Sequence, residues 1–375
     1  MAPPLRNLKM LDLSRQLPGP YCSMLLADLG VDVLVVAAPN DPMGLGIPLI
    51  QRSKRSMTLN LKSAEGKEVF ERLVADADIL LEGFRPGVTQ RLGIDYDTLA
   101  KKNPGLVYCS ISGFGQDGPY RDKVGHDINY LGYAGVIGVS GAAGQPPAIM
   151  PVQVADIGGG ALTATVGILA ALLARQHTGK GQFVDISMMD GGVAWNVFHM
   201  LMYFVRRQQP ERGKTQLTGH YPCYAIYETK DGKYVTVGAL EGHFWRNLCT
   251  ALGVEDFIPD QFSEGERREQ MFGVMREKFL QKTQAEWLAQ LDPIDICFGP
   301  VNDIEDVFAD PQVKARGMIR EVGGQKLIAS PIKLSDTPPV EPTPVPDFGQ
   351  HTDETLRGLG YSDAEIAKLH DARVV

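Results

Sequence analysis

Two stretches about thirty residues apart place chemically capable side chains at what read as helix starts. Val124-Gly-His-Asp-Ile-Asn-Tyr-Leu131 sets His126 after a turn and ahead of an apolar run. Pro151-Val-Gln-Val-Ala-Asp-Ile-Gly-Gly-Gly160 ends an extended run in Asp156, in front of three glycines and another apolar helix. At a helix N-terminus the backbone N–H groups point outward and negative charge is favoured. An enzyme that moves a proton next to a developing oxyanion needs that arrangement. The same residues also serve as ordinary caps: Asp127 and Asp156 as capping acids, His126 as a turn residue. A third acid, Glu241, closes Val237-Gly-Ala-Leu-Glu241 at the start of the next helix, where a first-turn acid needs no further role. Basic residues gather in Arg52-Ser-Lys-Arg55, at Arg85 and at Arg91. They could hold the phosphates of an anionic ligand or form a solvated face.

The elements that must position these residues follow from hydrophobic patterning. Leu8–Ser14, Asp32–Ala38, Met57–Leu61, Asp78–Leu81, Leu106–Ser112 and Phe183–Ser187 read as strands. The segments between them carry helical periodicity, as in Val69, Phe70, Leu73 and Val74. Strand alternating with helix predicts an α/β fold, with a large doubly wound Rossmann-like domain over 1–205. Ligands in such sheets sit beyond the carboxyl ends of the strands. No G-x-G-x-x-G follows the first strand, and the prolines of Arg15-Gln-Leu-Pro-Gly-Pro20 exclude a dinucleotide cradle there. A smaller α+β domain is predicted over 206–330, opening with a hairpin turned at Thr229-Lys-Asp-Gly232. Residues 331–375 read as a proline-rich return linker and C-terminal helices that pack on the large domain.

Composition narrows the function classes. The chain has 375 residues, 44% hydrophobic and 22% charged, with a net charge of −8. Nucleic acid is an unfavourable main partner for such a surface. The five cysteines are scattered without C-x-x-C, which predicts no metal site and a reduced, cytoplasmic chain. No run of about eighteen uninterrupted apolar residues suggests a membrane partner.

Several segments in order then resemble the family III CoA-transferase superfamily. They are Leu17–Gly30, Lys54–Lys62, Glu82-Gly-Phe-Arg-Pro-Gly87, Gly125-His-Asp-Ile-Asn-Tyr130, Asp156-Ile-Gly-Gly-Gly160, Thr178-Gly-Lys-Gly-Gln182 and Val237–Glu241. The Gly-His-Asp-Ile-Asn-Tyr stretch is similar to the alpha-methylacyl-CoA racemase branch. That resemblance implies proton transfer by His126, oriented by Glu241, on one face of an acyl-CoA α-carbon, and by Asp156 on the other. The Asp127 N–H would meet the enolate oxygen. It implies CoA contacts at Leu59, Asn60, Leu61, Lys62, Arg91, Gly125, Asn129 and Tyr130, with Gly83 and Phe84 at the strand edge. Lys54 and Arg55 are then expected as phosphate neighbours. No cofactor beyond the coenzyme A of the substrate is implied, and the partner is a second chain in an interlocked homodimer. The alternative within the superfamily is a CoA-transferase in which the Asp156 carboxylate attacks the thioester and forms a mixed anhydride. A CoA-binding relative without catalysis is a third reading. Two departures stand out: Ala37-Ala38-Pro39 where the family usually has an acid or arginine before the proline, and Leu217-Thr-Gly-His-Tyr-Pro222 where racemases tend to have Asp-Gly-Gly-Ala-Pro.

Overall fold

A computed structural model describes residues 2–41 and 46–375. The chain divides into two compact units, one of residues 1–136, 151–197 and 313–375, the other of 137–150 and 198–312. The unit boundaries therefore fall at 197/198 and 312/313, whereas the sequence placed breaks at 205/206 and 330/331. The charged run Arg206–Gly213 lies inside the second unit rather than at its edge.

The first unit is built on six parallel strands, β1 (Lys9–Asp12), β2 (Asp32–Ala37), β3 (Arg55–Thr58), β4 (Ile79–Glu82), β5 (Val107–Ser112) and β6 (Phe183–Ser187). Their order is β3-β2-β1-β4-β5-β6, so the winding reverses between β1 and β4. β4 and β5 are buried at every residue, which explains why they read as continuous apolar runs rather than alternating ones. Helix α1 (Pro18–Asp28) follows β1, and α2 (Ala64–Ala75) follows β3. The Ser63 hydroxyl caps α2 by accepting from the Gly66 N–H at 3.0 Å. Val69, Phe70 and Val74 then bury its apolar stripe completely. Each such side chain contributes about 1.5–3 kcal/mol of transfer free energy. The C-terminal helices α11 (Thr352–Gly358) and α12 (Asp363–Asp371) complete this core through Leu356, Ile366 and Leu369.

After α3 (Val88–Leu92) and α4 (Asp127–Tyr133), residues Val154–Leu162 form a π-helix that runs directly into α5 (Thr163–Thr178). Together they make a 25-residue helix long and apolar enough to cross a membrane by length and composition. The sequence reading had found no such run. This helix packs on α1, β5 and β6, as the core helix of a globular unit does. Helix α6 (Met188–Trp195) lies against the π-helix.

The second unit contains most of α7 (Val197–Arg206) and an antiparallel sheet. Strands β7 (Tyr224–Glu228) and β8 (Tyr234–Gly238) form the expected hairpin, and β9 (Phe298–Pro300) adds to β8. Helices α8 (Gly242–Leu252), α9 (Gly265–Phe279) and α10 (Gln284–Leu291) bury Trp245, Met275, Phe279 and Trp287 against the sheet.

Candidate active site

The first unit gathers His126, Asp127 and Asp156 on neighbouring elements. His126 is the extended N-cap residue of α4; its own N–H donates to Asn129 Oδ1 at 3.0 Å. His126 is exposed, as a group that meets a ligand must be. Asp127, the first residue of α4, has a backbone N–H with no acceptor among the described residues, as an oxyanion donor requires. Its carboxylate reaches the π-helix instead: Oδ1 accepts from the N–H of Ala155 at 2.7 Å and of Asp156 at 3.0 Å.

Asp156 sits in the first turn of that π-helix and is half-buried. The sequence reading expected the helix start to favour its anion. The opposite holds: burial, then the Asp127 charge, pushes the Asp156 carboxyl up to about 6, against a smaller opposing pull from His126. Its place is set by backbone contact. A Cβ on Gly191 of α6 would fall 2.2 Å from the Gly159 Cα, so the two helices touch main chain to main chain. Only glycine permits that approach. Tyr130 supports the same corner: its ring covers Gly113, and its hydroxyl donates to the Gly125 carbonyl.

At the carboxyl edge where the winding reverses, a cavity of about 290 Å³ is lined by Leu59, Asn60, Leu61, Lys62, Phe84 and Arg91, together with Leu13, Arg15 and Ala38. A doubly wound sheet is expected to bind its ligand at this position. Six of the residues predicted for CoA thus share one cavity. Gly125, Asn129 and Tyr130 lie instead at the start of α4, where Tyr130 is buried and structural; Gly83 is exposed and outside the cavity lining. Arg15 was missed. Its position just past the first strand was the available signal; in the structure it follows the end of β1 at Asp12 by three residues, lines the cavity with Ala38 and pairs with Asp41 at 2.9 Å.

The basic cluster at 52–55 is corrected. Lys54 is buried, its ammonium donating to the Pro20 carbonyl at 2.8 Å and Gln51 Oε1 at 2.9 Å, with Asp12 Oδ2 at 3.8 Å. Burial lowers its pKa to about 8, with Asp12 opposing the shift. Arg52 is buried against Asp28. Arg55 bridges β3 to α11, donating to Thr355 Oγ1 at 3.1 Å and lying 3.4 Å from Glu354. Arg52 and Lys54 are both buried and held by internal partners, so neither stands at the surface as a phosphate neighbour would.

Glu241 belongs to the second unit, exposed at the N-cap of α8 without a side-chain cap bond. Its charge helps raise the Cys297 thiol, after burial. Cys297, His220, Tyr224, Arg268 and Phe272 line a cavity of about 1130 Å³ in this unit. Neither His126 nor Asp156 is in its lining. Partners the sequence left unnamed for other histidines are Glu264 for His220 at 3.1 Å, the Ser56 N–H for His351 at 3.1 Å and Asp353 for His370 at 2.7 Å.

Residues 5–352 match the model of CoA-transferase family III. The chain belongs to this family. Among the relatives of this family III chain, mouse (Mus musculus) alpha-methylacyl-CoA racemase is 37% identical over 374 residues, covering 99% of the chain and 97% of the relative. The Homo sapiens alpha-methylacyl-CoA racemase is 36% identical with the same coverage. The Homo sapiens succinyl-CoA:glutarate CoA-transferase is 30% identical over 99% of the chain and 90% of its own length. A CAIB/BAIF family protein from Brucella suis superposes with a TM-score of 0.85 at 31% identity, over 96% of this chain and all of that one. The family III assignment makes this an enzyme of the CoA-transferase and racemase class, with acyl-CoA as a consistent substrate. Among the described residues no cluster of His, Cys, Asp and Glu could hold a metal ion.

Proposed function

We propose that the protein is a 2-methylacyl-CoA racemase or epimerase that inverts the α-carbon by proton transfer through an enolate. The observation that carries this reading is a half-buried acid raised to about 6, with the exposed His126 among the charges acting on it. Such an acid gains and loses protons near neutral pH, as a reversible two-base reaction needs. Asp156 takes the α-proton from one face, the C–H electron pair moves into the thioester carbonyl, and the Asp127 N–H donates to the enolate oxygen. A protonated His126 then delivers its proton to the opposite face. The reverse direction exchanges the two roles. The CoA moiety binds in the cavity at the β1–β4 reversal, with Lys62 and Arg91 toward its phosphates, and no further cofactor takes part.

The CoA-transferase relative supports a second reading, in which the Asp156 carboxylate attacks the thioester. Both readings use the Asp156 carboxylate, so its raised pKa does not separate them and the reaction itself must. NMR of one enantiomer of a 2-methylacyl-CoA in D2O separates the two. Deuterium entering at the α-carbon with loss of optical purity, independent of added free acid, is the expected result; CoA appearing on the added acid without exchange would replace it with the transferase. In the same assay Arg91→Ala should raise KM about tenfold or more with little change in kcat, since it removes a phosphate contact that substrate and transition state share.

We also infer a homodimer, interlocked as the family resemblance implies. Supporting it, α7 buries none of its residues in the chain and leaves Phe204 64% and Val205 72% exposed. Apolar exposure on that scale marks an association surface. A solution mass near twice 40.9 kDa is expected, and a monomer mass at working concentration would end this inference.

A further inference from the structure

The Asp127 side chain has a place that the proton-transfer reading alone does not require. A π-helix, like an α-helix, begins with N–H groups that lack acceptors, and these normally stabilise a nearby anion. Here the residue before the helix, Gln153, makes no side-chain cap. The acceptor comes from another helix altogether, as Asp127 Oδ1 takes the N–H of both Ala155 and Asp156.

We propose that the Asp127 carboxylate is a positioning residue for the acid at 156, pinning the first turn of the π-helix and withdrawing from that acid the donors its anion would otherwise use. The arrangement has two consequences. The clamp orients the Asp156 side chain, because its own N–H is one of the two bonds and the following turn is locked by the Gly159–Gly191 contact. The clamp also sets a negative charge next to the acid, and a like charge nearby favours the protonated form. That direction agrees with the rise to about 6, to which burial contributes most and Asp127 next. The other titratable groups around Asp156 do not supply this effect. His126 pulls the opposite way, and Tyr130, itself raised to about 12, feels Asp156 as one of its causes after burial. From the elements packed on the π-helix, Asp190 of α6 acts on Asp185, and the Cys22 thiol of α1 is bonded to Thr165. Tyr21 of α1 is not among the groups acting on Asp156. One residue therefore serves the reaction twice: its N–H faces outward for the oxyanion and its carboxylate faces inward for the acid.

This inference rests on the acid–base reading of Asp156, and the test is chosen to keep the two apart. Asp127→Asn keeps an oxygen that can accept both N–H groups but removes the charge; Asp127→Ala removes both. Carbon-13 NMR of labelled aspartate carboxyls in the ligand-free protein, assigned with Asp156→Asn, reads the titration of Asp156 without any turnover. In Asp127→Asn its midpoint should fall by about one pH unit, the size of a typical close-charge effect. Amide exchange protection at Ala155 and Asp156 should survive in Asp127→Asn and drop at least tenfold in Asp127→Ala. An unmoved midpoint in Asp127→Asn, or full protection in Asp127→Ala, overturns the proposal. If Asp127→Ala does not fold, the Asn variant alone decides through the midpoint. A shifted midpoint in a protein that exchanges no α-proton under any condition leaves the clamp standing and removes the racemase reading.

Discussion

Asp156→Asn should lower racemisation about 10²–10⁴-fold, the usual worth of one general acid–base group, while leaving isotope exchange on a single enantiomer. Asparagine preserves the volume and the N–H that Asp127 holds at 3.0 Å, so the π-helix start is unchanged. What disappears is the group that takes or returns a proton on one face. The enantiomer whose α-hydrogen faces His126 still loses it and regains deuterium from the same side, with retention. The other enantiomer becomes inert. That asymmetry is the signature of two separate bases; a transferase would lose CoA transfer and show no exchange with either enantiomer. Racemisation within tenfold of the parent would show that Asp156 is not the second base. NMR in D2O, run on each enantiomer separately, makes the measurement.

Arg52→Met should destabilise the protein by about 3–5 kcal/mol, although the residue sits in a run that reads as a surface cluster. The guanidinium is 1% exposed and holds Asp28 Oδ2 at 2.9 Å through Nη2, with Nη1 on Asp28 Oδ1. Its Nε donates to the Ile328 carbonyl at 3.1 Å, tying the C-terminal hairpin β10 (Ile319–Val322) and β11 (Gln325–Ile328) to the same point. Methionine fills similar space but leaves the Asp28 carboxylate buried without the guanidinium that bonds it, which is the source of most of the cost. Adding Asp28→Leu to Arg52→Met should therefore recover most of the loss, because a well-packed apolar pair often matches a buried ion pair. Urea unfolding of the parent and the two variants gives the comparison. A single variant within about 1 kcal/mol of the parent would refute the buried-pair account.

How much of this could be read from the sequence depended on how local each signal was. The strands of the large sheet announce themselves because burial on both faces demands unbroken apolar runs, as at Asp32-Val-Leu-Val-Val-Ala-Ala38. The hairpin at Thr229–Gly232 and the helices that follow were equally local. The β10–β11 hairpin was passed over, although Gly323-Gly324 at its turn is a recognisable signal. The fate of the basic cluster was not local at all: Arg52 is satisfied by Asp28, and Lys54 by Asp12 and the Pro20 carbonyl, all on other elements. Charge pattern alone cannot tell a phosphate ligand from a buried partner. A helix starting near Asp156 was legible, but its π form was not, since its start is held by a residue of a different helix. His126, Asp127 and Asp156 were legible as candidates because the types and the helix-start context coincide. Which way the carboxyl of Asp156 shifts was not, since that depends on what surrounds it in space.

The meeting of Gly159 and Gly191 carries a last implication for how such enzymes diversify. Side chains in a lining can be exchanged and the walls will readjust, but two backbones in contact leave nothing to readjust. The acid is thus referenced to a fixed datum within the first unit, whatever residues later come to shape the acyl end. A scaffold with that property can inherit its carboxylate unchanged while its substrates drift. Where the bases are anchored to main chain, a change of substrate becomes a matter of upholstery and the joinery stays as it was.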